Sequence, residues 1–187
     1  MRQLLGFFAL ILALTSCGQT FQKDIKTEKY EMSETPEKWK SLNEANYSIH
    51  YPDTFDLDMS GQMGVSFILF SKVISPQDMF RENVNLLVQD LTGQNIDLDK
   101  YVDISEDQIK TMIIEGNLLD SKRLTGSNNE YHRLVYTGKQ GQYDLKWQQF
   151  YWVKNKKAYV LTLTCEANQY DNYVSVGEKI MKSFILK

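Results

Sequence analysis

Hydrophobic and polar positions divide this chain into three stretches. Leu4–Leu14 reads LLGFFALILAL, an apolar run with no charge in it. From Gly18 to Lys38 the residues are polar and charged and no apolar period is sustained, which predicts a tether rather than part of a core. From Trp39 onward, apolar residues recur at the spacings of strands and helices, so the globular part is expected to start there.

Strand signals come first. Asn46–Tyr51 alternates and stops at Pro52, and Phe55–Met59 and Val65–Phe70 flank the turn-like Ser-Gly-Gln-Met-Gly, which predicts a hairpin. Val65, Phe67 and Leu69 fall on one face of their strand and Ile68 and Phe70 on the other, so both faces are expected to be covered. Val84–Leu91 predicts a further strand.

The period then changes. Ser105-Glu106-Asp107-Gln108 has the form of a capping box, with Ile104 and Ile109 placed as a hydrophobic staple. Ile109, Met112 and Ile113 continue at helical spacing until Gly116, which predicts a helix of about 12 residues, extended upstream by a turn through Leu98–Val102. Four runs follow as a meander: Leu118–Thr125, Glu130–Thr137, Tyr143–Val153 and Ala158–Cys165. The turns between them are Gly126–Asn129, Gly138–Gly141 and Lys154–Lys157. Tyr173, Val176, Gly177, Ile180, Met181 and Phe184 form the stripe of a closing helix. The expected fold is α+β, an α/β/α-type sandwich with a central twisted antiparallel sheet on which the mid-chain helix and the C-terminal helix pack. A closed lipocalin-like barrel would run hairpin to hairpin through the region that the mid-chain helix occupies.

Length supports one domain, since 187 residues leave no room for two comfortable cores beside a leader and a tether. The formal charge is −3, and losing Arg2 with a leader leaves 20 basic against 24 acidic residues. That balance lacks the Lys/Arg excess that nucleic acid binding needs, so no nucleic acid partner is expected. Arg2, the apolar run and the small residues Thr15 and Ser16 follow the order of a secretory leader. Leu4–Leu14 would rise only about 16 Å as a helix, short of the roughly 30 Å of a bilayer core.

Leu14-Thr15-Ser16-Cys17-Gly18 resembles the lipobox of bacterial lipoproteins, in which the Cys sulfur receives diacylglycerol before cleavage. The resemblance implies residues 1–16 as a lipoprotein signal peptide, residues 17–38 as a lipidated Cys17 and flexible tether, and residues 39–187 as the globular domain. The membrane would then be a partner through acyl chains on Cys17, and two or three chains anchor firmly at about 0.8 kcal/mol per buried methylene. Gly18 stands where an Asp marks inner-membrane retention in some Gram-negative bacteria, which points to the outer membrane. Cys165 is the only other cysteine, so lipidation of Cys17 leaves no internal disulfide. Cys165 ends an alternating run and reads as a buried strand residue.

Four segments, Tyr47–Pro52, Phe80-x-x-Asn83-Val84-Asn85, Ala158–Thr162 and Ile180–Phe184, together resemble the PsbP-like family across about Trp39–Lys187. That resemblance implies a domain that binds or supports other proteins rather than catalysing a reaction. It carries over no photosystem-binding residue.

Site chemistry in the sequence is sparse. Asp97, Asp99, Asp103, Glu106 and Asp107 form an acidic stretch, but an EF-hand counted from Asp97 would put Val102 at its glycine and Gln108 at its bidentate Glu. Acidic residues at a helix start are accounted for by the macrodipole. His50 and His132 lie in separate strands without a second ligand at zinc spacing, and neither a Gly-x-Ser-x-Gly elbow nor a phosphate loop occurs. No cofactor and no metal is expected. The aromatic run Trp147, Phe150, Tyr151 and Trp152 is the candidate partner or ligand surface, with rings on both faces of one strand. Burial of all four rings would remove a groove built from them. An apolar cavity of about 300 Å³ or more would favour a carrier of a small apolar ligand, and a filled core with an exposed patch would favour a protein partner. An enzyme ranks third.

Overall fold

The computed structural model describes residues 38–73, 75, 78–126 and 130–187. Cys17, the leader and the tether lie outside the described residues. The strands are β1 (Trp39–Asn43), β2 (Tyr47–Pro52), β3 (Phe55–Asp58), β4 (Phe67–Ser71) and β5 (Asn83–Asp90). Helix α1 (Leu98–Met112) leads to the long strands β6 (Ile114–Thr125), β7 (Glu130–Gln140), β8 (Tyr143–Lys154) and β9 (Lys157–Glu166). Helix α2 (Tyr170–Lys182) and the two-residue β10 (Ile185–Leu186) end the chain.

Seven strands form one antiparallel sheet in the order β3-β4-β5-β9-β8-β7-β6, so the predicted hairpin and meander are both present. Alternation along β8 and β9 directs Phe150, Trp152, Leu161 and Leu163 to one face, where α2 packs with Val176, Ile180 and Met181. It directs Trp147, Tyr151, Ala158 and Val160 to the other, where α1 packs with Tyr101, Val102 and Ile109. The sandwich therefore has a core on each side of its sheet. Each fully buried Leu or Phe contributes about 2 kcal/mol by leaving water.

A second sheet, β1-β2-β10, was not legible in the sequence. It lays Tyr47, Ile49, Tyr51 and Leu186 on the α2-side core and carries β10 on its outer edge.

The expected capping box does not cap a helix. Helix α1 starts a full two turns earlier, at Leu98, where the Asp97 Oδ1 accepts from the Lys100 amide at 2.9 Å. Ser105 is buried in mid-helix and donates to the Tyr101 carbonyl at 2.8 Å. The upstream turn through Leu98–Val102 is present. At the far end a Cβ on Gly116 would stand 2.1 Å from the Ile109 carbonyl, so only glycine lets β6 leave so close to α1. The second turn of the expected meander also shifts: Gly138–Gln140 continue β7, and the chain reverses at Gly141 with φ of +60°. Asn155 and Lys156 both take positive φ, the pair that a two-residue hairpin requires.

Edge strand β6 is 12 residues long, and register shifts break it between Ile114 and Asn117 and between Leu118 and Asp120. Bulges and the charges of Asp120, Lys122 and Arg123 blunt an edge that would otherwise pair with another chain.

Candidate functional site

All four rings of the aromatic run are buried: Trp147 is 4% exposed, Phe150 1%, Tyr151 0% and Trp152 7%. An exposed aromatic patch built from these four therefore does not exist. Trp147 stacks on Tyr136 at 5.0 Å and Tyr151 meets Tyr101 at 5.9 Å, both beneath α1. Phe150 and Trp152 face the α2 side, and there they border a cavity of about 420 Å³.

This cleft sits where three elements meet. Its floor is aromatic: Tyr131 of β7 stacks on Trp152 at 5.4 Å and tilts against Phe150 at 4.8 Å, and Trp152 meets Phe184 at 5.0 Å. One wall is the end of α2 with the chain that leaves it, from Met181 to Leu186. Helix α2 stops because the Ser183 amide folds back onto the Lys179 and Ile180 carbonyls, at 3.2 and 3.1 Å, which turns Phe184 inward and sends the chain into β10. The Ser183 hydroxyl also accepts from the His50 amide at 2.9 Å, locking that turn to β2. Opposite lie Thr125 and Gly126 at the end of β6. His50 and Lys182 stand at the polar rim, and Lys182 pairs with Glu178 one turn back.

Sequence reading found two of the floor rings and missed Tyr131 and Phe184 as their neighbours. A signal for Phe184 was present, since the apolar stripe of the closing helix runs past the last helical residue to reach it.

The acidic stretch is dispersed over α1. Asp97 caps the helix, Asp99 pairs with Arg123, and Glu106 accepts from the Ser121 hydroxyl at 2.5 Å. Among the described residues no three His, Cys, Asp or Glu side chains converge as metal ligands.

His132 also reaches Ser121, with its Nε2 at 2.8 Å from Oγ. Ser121 has one proton, and Glu106 takes it, so His132 Nε2 must donate and its buried Nδ1 is left without a partner. A serine nucleophile needs the reverse order, with its proton on an imidazole that a carboxylate orients. Burial and the nearby Arg123 lower the His132 pKa below its usual 6.5 against the pull of Glu106 and Asp120, and the contact ties α1 to β6 and β7. The second Ser–His contact, Ser41 Oγ to His50 Nδ1 at 2.8 Å, joins β1 to β2 across an exposed register pair.

Glu82 is 2% exposed beside the Ser71 hydroxyl, which donates to it at 3.3 Å. Burial, with repulsion from Asp78 and Glu166 and against hydrogen bonds that favour the anion, pushes its pKa up to about 7. Burial likewise raises Cys165 well above an ordinary thiol, and Cys165 is a free, packed strand residue.

A helix on each face of one antiparallel sheet, with a small second sheet closing the α2 side, defines a PsbP-like α+β sandwich. The solution structure of cyanobacterial PsbP from Synechocystis matches with a TM-score of 0.61 over 93% of this chain and 99% of its own, at 15% identity. A Pseudomonas aeruginosa protein of unknown function, described as a putative regulator, matches at 0.58 over 80% of this chain and 97% of its own, at 11% identity. LpqN of Mycobacterium tuberculosis, described as involved in cell envelope biogenesis, matches at 0.56 over 80% and 91%, at 10% identity. These identities establish the shared fold alone. No family model and no curated protein matches the chain. Among the described residues no helix is long and apolar enough to cross a membrane.

Proposed function

We propose that this chain is a non-catalytic envelope lipoprotein, held to the membrane by acyl chains on Cys17, whose PsbP-like domain binds another protein. The observation that carries the reading is the cleft of about 420 Å³ at the end of α2, which has a polar rim and a floor of half-buried Tyr131 over the buried rings of Phe150, Trp152 and Phe184. Rims of that kind and aromatic centres characterise protein-binding surfaces. The neighbour described as involved in cell envelope biogenesis supports the envelope address, and Gly18 after the lipidated cysteine favours the outer membrane. A tether of about 21 coil residues reaches roughly 25 Å, so the domain would work close to the bilayer.

A second reading has its own observation. The cleft volume of about 420 Å³ exceeds what a small ligand needs, which favours a carrier of a small apolar molecule held between sheet and helix.

Mass spectrometry of protein from the native host should find diacylglycerol on an N-terminal Cys17, and a bare terminus or an uncut leader would overturn the anchor. Affinity purification from native membranes with the anchor intact then separates the readings: a stoichiometric protein supports the first, and a bound lipid with no protein supports the second.

A further inference from the structure

Among the described residues the small sheet ends in an unpaired edge beside the cleft: strand β10 pairs there with β2 alone, and both its residues line the opening. The bond from the Lys187 amide to the Asn46 carbonyl, 3.0 Å, fixes the phase of this antiparallel pair. Hydrogen-bonded and non-bonded pairs alternate along such a ladder, so Ile185 and Lys187 turn their backbone groups toward β2. Leu186, between them, turns its N–H and C=O away from β2, and among the described residues no other strand takes them.

Two backbone groups with a fixed direction, next to a floor of rings, match an extended peptide better than a compact small molecule. The charge pattern agrees. Among the described residues no Asp or Glu lines the cleft, and its one charged lining residue is Lys182, whose side chain is 58% exposed and whose ammonium pairs with Glu178 outside the cleft and has further donors for a second acceptor.

We infer that the cleft takes an extended peptide segment of a partner protein, added as a fourth strand beside β10. The peptide exchanges two hydrogen bonds with Leu186, lays one large apolar side chain on Tyr131, Phe150 and Trp152, and sets a neighbouring acidic residue against Lys182. This inference rests on the protein-binding reading and names how the partner is held. Strand addition draws direction from backbone bonds and selectivity from alternate side chains.

The test uses the full chain, labelled with nitrogen-15, and the capped hexapeptide acetyl-Thr-Asp-Val-Phe-Val-Thr-amide. Binding tighter than about 1 mM, with shifts centred on the Leu186, Tyr131 and Lys182 amides, is the expected result. N-methylation of the peptide bond that faces Leu186 leaves the protein untouched and should weaken binding about tenfold, as loss of one backbone bond predicts. Replacing the peptide Phe with Ala, or the protein change Tyr131→Ala, should weaken it by at least as much.

Equal binding of the N-methylated peptide, or no binding of the parent peptide, overturns the inference. A membrane protein retained equally by the native chain and by Tyr131→Ala overturns it while leaving the protein-binding reading intact. Sodium laurate shifting Tyr131 and Leu186 where no peptide does overturns both.

Discussion

The two faces of the large sheet are built on different principles. Beneath α1 the sheet buries polar side chains in register: Asn85, Thr162 and Gln149 stand side by side across β5, β9 and β8, with Asn83 and Thr164 in the next row. They satisfy one another. Gln149 donates to Thr162 at 3.0 Å and accepts from the Tyr151 hydroxyl, and Asn85 donates to Asn83 at 3.1 Å. Tyr101 of α1 reaches over to Gln89 at 2.8 Å. Beneath α2 the sheet presents mostly hydrocarbon and rings, matched by shape. The polar face is thus tied to one strand register, because a slip of one residue would orphan every pair in the row. The α2 face has fewer such bonds to keep, chiefly Gln148 accepting from the Tyr170 hydroxyl at 3.0 Å and Ser71 donating to Glu82, and that is the face where α2 and the small sheet leave an opening.

The largest effect should come from breaking the apolar face. Leu161 is fully buried on β9 under α2, and Leu161→Ala should cost about 3 kcal/mol in urea unfolding through lost burial and the cavity left behind. A loss below about 1 kcal/mol would mean that the α2 side packs loosely enough to collapse.

Next in size is the one carboxyl among the residues buried on that face. Glu82 keeps its proton in the fold up to a pH of about 7, whereas an unfolded Glu releases it near 4.5. Between those values only the unfolded chain ionises, so stability falls as pH rises through the window and is level beyond it. The full loss approaches roughly 3 kcal/mol, at about 1.36 per pKa unit. Glu82→Gln should flatten the curve over that window when unfolding is measured from pH 4 to 8, and an unchanged slope would place the titration elsewhere.

The polar face sharpens the contrast from its own side. Gln149→Leu leaves the Thr162 hydroxyl buried without this partner and the Tyr151 hydroxyl with its Ser105 contact alone, and should cost about 2 kcal/mol. Adding Tyr151→Phe and Thr162→Val removes the orphans, and the triple variant should regain most of that loss. If it regains nothing, the row stabilises by packing and not by pairing.

The long elements were legible because their signals are redundant: Tyr159, Leu161, Leu163 and Cys165 recur at every second position of β9, and five apolar-stripe positions recur at helical spacing in α2. The small sheet was not, because β1 is mostly exposed and β10 has only two residues, too short to show a period. Half of the cleft stayed hidden for a related reason. Tyr131 and Phe184 are separated by more than 50 positions in the chain, and only the register of β7 against β8 and the turn at Ser183 bring them to Trp152.

The start of α1 gives the smallest and sharpest contrast, since two segments offered themselves as its cap. Ser105 through Gln108 fits the capping pattern, yet stopping there would expose Tyr101 and Val102, both buried against the sheet. Burying two such side chains is worth a few kcal/mol and a cap about 1, so packing moves the start upstream to Asp97. Asp97→Ala should then cost about 1 kcal/mol and raise amide exchange in the first turn, at Asp99 and Lys100, while Ser105→Ala leaves those amides unchanged. Faster exchange at Asp107 and Gln108 in the Ser105 variant would instead return the cap to the position the sequence pattern first suggests.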